Sequence, residues 1–125
     1  MIQALLVAVG GAIGSVLRYY VGKWALRLMG PAFPWGTLAV NVVGCFVIGV
    51  FAELLARRFN ASMELRLLLI TGFLGGFTTF SAFSLDAISL FEGGNTVAGG
   101  VYIAASVGLS MAAVFAGLAI MRALV

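Results

Sequence analysis

TGFLGGFTTFSAFS, residues Thr71 to Ser84, is the stretch on which the fold turns. It lies inside an uncharged run from Leu67 to Leu85, long enough to cross most of a bilayer's hydrocarbon. Its middle is unlike a plain spanning helix. Gly72, Gly75 and Gly76 crowd together, and each glycine costs a helix interior up to about 1 kcal/mol relative to alanine. Thr78 and Thr79 follow, with stiff β-branched side chains and hydroxyls that compete for the backbone. The pattern predicts a helix that breaks near Gly75–Thr79 and resumes. Irregular backbone at membrane depth is tolerated where it is buried in protein or lines a wet cavity. Freed carbonyls there suit a cation, and the restarted helix N-terminus suits an anion. Two readings stand on spacing alone: an ion site, or a glycine-rich contact helix.

Composition sets the class. Of 125 residues 63% are hydrophobic and only 9% charged, with mean hydropathy +1.19. No soluble domain of this length hides so much apolar surface, so the chain reads as an integral membrane protein. With no His and one Cys, Cys45, it can build neither a His/Cys metal site nor an internal disulfide. Ser–His and Cys–His nucleophiles are excluded too, and no enzyme is expected. Seven scattered basic residues and a net charge of +3 do not make a nucleic-acid surface.

Outward from the central stretch, four spans are expected, at about residues 2–21, 37–55, 65–91 and 97–121, forming one four-helix membrane domain over 1–125. The first lacks the basic start and small-residue cleavage site of a signal peptide. Gly10-Gly11-Ala12-Ile13-Gly14 superficially matches a dinucleotide fingerprint, but no βαβ context surrounds it. Gly10 and Gly14, four apart, are read instead as admitting a close helix neighbour. Gly30-Pro31-Ala32-Phe33-Pro34 is the strongest turn signal. Trp35 beside it suits the membrane interface. Asn41, one turn beyond Thr37 in the second span, needs a partner: interhelical glue or a pore-facing amide. Asn60-Ala61-Ser62 reads as a turn with Ser62 as helix cap, and Glu92-Gly93-Gly94-Asn95 as another.

The last span carries two stripes. Tyr102, Ser106 and Ser110 stack three hydroxyls at i, i+4 and i+8, while Ala104, Gly108, Ala112 and Ala116 form a small-residue stripe about 200° away. The small stripe is read as a packing face. The hydroxyls either bond their own backbone or, facing water, can exchange for an ion's hydration shell. Phe80 and Phe83, three apart, share a helix face. Ring edges carry positive potential and can accompany an anion without holding it. Asp86 is the acid within the third span, and intramembrane acids are functional candidates.

Basic residues barely orient the chain. Arg57, Arg58, Arg66 and Arg122 fall on one side, against Arg18, Lys23 and Arg27 on the other. A difference of one (4 − 3) is too small for the positive-inside rule to act on. Insertion in both orientations, and an antiparallel homodimer, follow as expectations.

Three segments, GGAIGSVLRYY at Gly10–Tyr20, WGTLAVNVVGCFVIG at Trp35–Gly49 and TGFLGGFTTFSAFS at Thr71–Ser84, resemble those of the CrcB/Fluc family of small fluoride channels. With the four-span layout the resemblance covers essentially the whole chain. Ala82 departs from the threonine the family often carries in TTFSTF. The resemblance implies a dual-topology homodimer in the cell inner (plasma) membrane, with two antiparallel fluoride pathways and a structural sodium ion at the dimer axis. The sodium ligands map to the backbone carbonyls of Gly75 and Thr78. The pathway maps to Asn41, Phe80, Phe83, Tyr102, Ser106 and Ser110, with Asp86 where the family usually has Glu. Thr37, Thr79 and Ser81 are further expected pathway residues, and Arg18 matches a vestibule arginine. The implied physiology is passive fluoride efflux, driven by a negative-inside potential at roughly 2.3 kcal/mol per 100 mV. The alternative is a small dual-topology multidrug exporter coupled to protons. That mechanism wants a buried acid, usually in the first helix, and Met1–Leu17 has none.

Overall fold

Four helical crossings account for nearly all of the chain. The structure, a computed structural model, describes residues 1–57 and 62–125. Arg58 and the Asn60-Ala61 part of the expected turn lie outside the described residues. In chain order come α1 (Ile2–Met29), α2 (Trp35–Arg57), α3 (Met63–Arg66), a π-helical segment (Leu67–Leu74), α4 (Gly75–Phe77), α5 (Phe80–Glu92) and α6 (Thr96–Leu124). Among the described residues four lengths are long and apolar enough to cross a membrane: Ile2–Met29, Trp35–Arg57, Met63–Glu92 and Thr96–Leu124. The protein is a multi-pass membrane protein.

The first helix runs past Val21 to Met29. Charge does not end it, because Lys23 and Arg27 can carry their heads to the interface on long apolar stems and Arg18 finds a backbone acceptor at Gly76 O. Tyr19, Tyr20 and Trp24 stand exposed beside them, as interfacial aromatics do. Termination waits for Gly30, whose φ of 80° is left-handed and whose N–H caps onto Leu26 O at 3.0 Å. Pro31 then forbids continuation.

Ser62 caps the third crossing as its position predicts, its hydroxyl accepting from Leu65 N at 3.3 Å. The wide π turns that follow went unforeseen. They lie where α1 seats: Gly10 and Gly14 are buried, and a Cβ on either would strike backbone, at Leu68 and Phe73 respectively. Hydrogen atoms at those two positions set the approach of the first and third crossings. The interruption itself is short and comes at the threonines. Gly75 keeps helical dihedrals (φ −62°, ψ −36°), whereas Thr78 (φ −87°, ψ 159°) and Thr79 (φ −154°, ψ 126°) are extended. The third crossing bends there and restarts at Phe80.

α2 packs along α6, closest where Gly49 meets the Val114–Leu118 backbone and Gly117 meets that of Phe46–Val50. The expected small-residue stripe is not this contact. Ala104, Gly108, Ala112 and Ala116 are all exposed, and nothing stands within 4 Å of a Cβ built on Gly108. The inward side of α6 is instead the hydroxyl side, continued through Ala113 to the buried Gly117. Glu53 joins the ends of both helices, its Oε1 accepting from Arg57 at 2.8 Å and Arg122 at 3.0 Å. A small core of Leu38, Phe83, Ala87, Leu90 and Tyr102 packs α2, α5 and α6 together above the interruption.

Candidate functional site

The interruption is held open by a side chain from another helix. Asn41 on α2 donates through Nδ2 to Thr79 O at 2.9 Å and accepts at Oδ1 from Thr79 N at 2.8 Å. In an unbroken helix Thr79 N–H would bond the Gly75 carbonyl, four residues back. Ala82 N–H, the helical donor for Thr78 O, goes to Thr79 Oγ1 at 3.1 Å as an N-cap bond. The carbonyls of Gly75 and Thr78 thus lose their ladder donors, as do those of Gly76 and Phe77, whose donors Phe80 N–H and Ser81 N–H open the restarted helix. Gly76 O is recruited differently: Arg18 Nε donates to it at 3.0 Å. The Thr78 hydroxyl turns back onto Leu74 O at 2.8 Å, so its side chain is committed locally.

Beside the interruption lies a cavity of about 310 Å³. Asn41, Thr78, Thr79, Phe80, Phe83, Ser106 and Ser110 all line it, so seven residues singled out by sequence converge on one space. The two rings lie 5.5 Å apart, inclined at 50°. They are not equivalent: Phe83 is buried at 8% exposure, while Phe80 stands 78% exposed. Ser106 is 5% exposed, and its hydroxyl has no partner among the described residues. That rules out the backbone-bonded reading for this serine. A buried hydroxyl without a partner costs about 1–3 kcal/mol and calls for an occupant or a purpose. Among the described residues no Lys or Arg lines this space.

Tyr102, fully buried, sits a turn away from the cavity rather than in its wall. Its ring meets Phe83 at 5.3 Å, and its hydroxyl donates to Asp86 Oδ2 at 3.3 Å. Thr37 Oγ1 donates to the same oxygen at 2.7 Å. Thr37, Asp86 and Tyr102 therefore form one polar cluster on three helices, separate from the Asn41 cavity. Ser81 is exposed, with its Oγ 3.3 Å from Thr79 Oγ1.

A second, larger space of about 710 Å³ opens on the other side, and Arg18, Lys23, Thr37 and Thr79 are in its lining. Thr79 belongs to both walls. Sequence reading missed three members of the smaller cavity: Cys45, Val107 and Met111. Cys45 was within reach, being four residues past Asn41 on one helix face. Val107 and Met111 flank the hydroxyl stripe and carried no chemical signal.

The profile of the family described as CrcB-like protein, Camphor Resistance (CrcB), matches residues 5–118. The chain is 92% identical to the fluoride-specific ion channel FluC of Rhizobium etli over 125 residues, the whole of both chains. It is 66% identical to the fluoride-specific ion channel FluC of Agrobacterium fabrum, covering 98% of each. To the fluoride-specific ion channel FluC 1 of Nitrobacter hamburgensis it is 52% identical, over 96% of this chain and 95% of the other.

Proposed function

Since the chain belongs to the CrcB-like protein family, we propose that it is a fluoride-selective channel of the bacterial inner membrane. It lets fluoride leave the cytoplasm passively and so protects against fluoride toxicity. The observation that carries this reading is the Ser106 hydroxyl, buried and unpartnered in the wall it shares with Asn41 and Phe83. Fluoride is small, strongly hydrated and a strong acceptor. Serine hydroxyls and the Asn41 amide supply donors in exchange for its water, and phenyl edges supply weak positive potential between them. A basic residue in this wall would bind the anion more tightly and slow its release; among the described residues the wall has none.

Two antiparallel copies complete the pathway in this reading. The exposed Phe80 and the uncovered Ala104–Ala116 stripe support a second copy as their cover. The carbonyls of Gly75 and Thr78 fit a sodium ion at the junction, because both have lost their helical donors and hard cations prefer oxygen ligands. When bound, the ion would supply one positive charge beside these carbonyl oxygens, offsetting their lost hydrogen bonds.

Reconstitution tests the function. Liposomes holding the protein should release fluoride when an ionophore shunts the counter-charge, without a proton gradient and without releasing chloride. Equal chloride release refutes the selectivity, and electrically silent release points to coupled transport.

A further inference from the structure

The larger cavity and the smaller one meet at Thr79, and their charge lining differs. The 710 Å³ space is walled by α1 residues Ser15, Arg18, Tyr19 and Lys23 and reaches Thr37 and Thr79. Among the described residues neither Asp nor Glu lines it. Of its two cations, Arg18 is committed to the interruption through Gly76 O. Lys23 is not: it is exposed, and the ion pairs among the described residues all belong to Glu53.

We infer that Lys23 is a steering residue for the channel, its ammonium drawing fluoride into this antechamber ahead of the Thr79 threshold. This rests on the channel reading above. A positive charge at the mouth of a cleft with low-dielectric walls raises the local anion concentration, typically by tenfold or more. A hydrated cation on a flexible stem at the edge of the cleft attracts a monatomic anion without closing around it. It therefore concentrates the ion and lets it pass. The competing role is anchorage: Lys23 adjoins Trp24, and the tilted Tyr20–Trp24 ring pair at 5.9 Å marks this level as interfacial. Anchorage does not depend on salt in a neutral membrane; steering does.

The experiment compares wild type, Lys23→Gln and Lys23→Arg in liposomes of neutral phosphatidylcholine, with ionic strength set by an impermeant salt. At about 10 mM, where screening reaches ~30 Å, Lys23→Gln should cut flux at subsaturating fluoride three- to tenfold, a range taken as about the lower end of cleft focusing. Flux at saturating fluoride should be unchanged, and Lys23→Arg should stay within about twofold of wild type, because it keeps the charge. At about 1 M, where screening falls to ~3 Å, the variants should converge. Equal flux of Lys23→Gln and wild type at low salt overturns the inference alone, as does a loss that persists at high salt or lowers saturated flux. Wild type that passes no fluoride overturns the channel reading and this inference with it.

Discussion

Asn41 and Thr79 exchange two hydrogen bonds, of 2.9 and 2.8 Å, between a side-chain amide and both polar groups of one peptide residue. The amide thus acts as a short piece of neighbouring strand inside a helical membrane protein. It satisfies groups that hydrocarbon would leave stranded, and it does so at the residue where the third crossing is interrupted.

Asn41→Ala removes both partners at once. Thr79 N–H and C=O are left without them, at about 3 kcal/mol for two half-buried backbone groups. Thermal unfolding in detergent should shift down accordingly, and fluoride flux should be lost. A variant as stable as wild type would show that the interruption stands without the amide.

Ser106→Ala should move stability and flux in opposite directions. Removing a buried hydroxyl that has no partner relieves its desolvation cost, so the variant should gain about 1 kcal/mol. Fluoride efflux should nevertheless fall, because a donor has left the cavity wall. A fall in both would mean the hydroxyl is paired in the native assembly.

The two phenylalanines should separate on stability. Phe83 is packed on Tyr102, so Phe83→Ala should cost about 3 kcal/mol. Phe80 is exposed in the single chain, so its Ala variant should change protomer folding by less than about 0.5 kcal/mol. Isoleucine at either position should suppress flux while a dimer still forms, as size-exclusion chromatography would show. Undiminished flux in both would take the rings out of the pathway.

Sodium should stabilise the assembly by mass action. Above its dissociation constant, each tenfold rise in Na⁺ at constant ionic strength should add about 1.4 kcal/mol per bound ion. Melting curves with Na⁺ replaced by N-methylglucamine measure this directly. Indifference to the exchange removes the ion from the Gly75–Thr78 carbonyls.

Period and composition made the four crossings legible, along with their hydroxyl face and the window of the interruption. What they left out came from contacts distant in sequence. Gly72, Gly75 and Gly76 looked like the breakers, yet Gly75 stays helical and Gly72 and Gly76 serve the close approach of α1, where a Cβ on Gly76 would meet Gly11 O. The break needs Asn41, 38 residues away, to take up Thr79. The Ala104–Ala116 stripe shows the same ambiguity. Small residues announce a close neighbour without saying whether it belongs to the same chain. Asp86, legible as a functional acid, gave no sign that Thr37 and Tyr102 would both donate to one of its oxygens.

Gly10, Gly14 and Arg18 fall at i, i+4 and i+8 on α1. The first two admit the backbone of the third crossing and the last ties down its Gly76 carbonyl. The first helix is thereby splinted to the part of the third crossing that precedes the bend, while α5 beyond it leans on α2 and α6. A bilayer whose thickness tilts α1 carries Leu67–Phe77 with it, and the difference is taken up at Thr78 and Thr79.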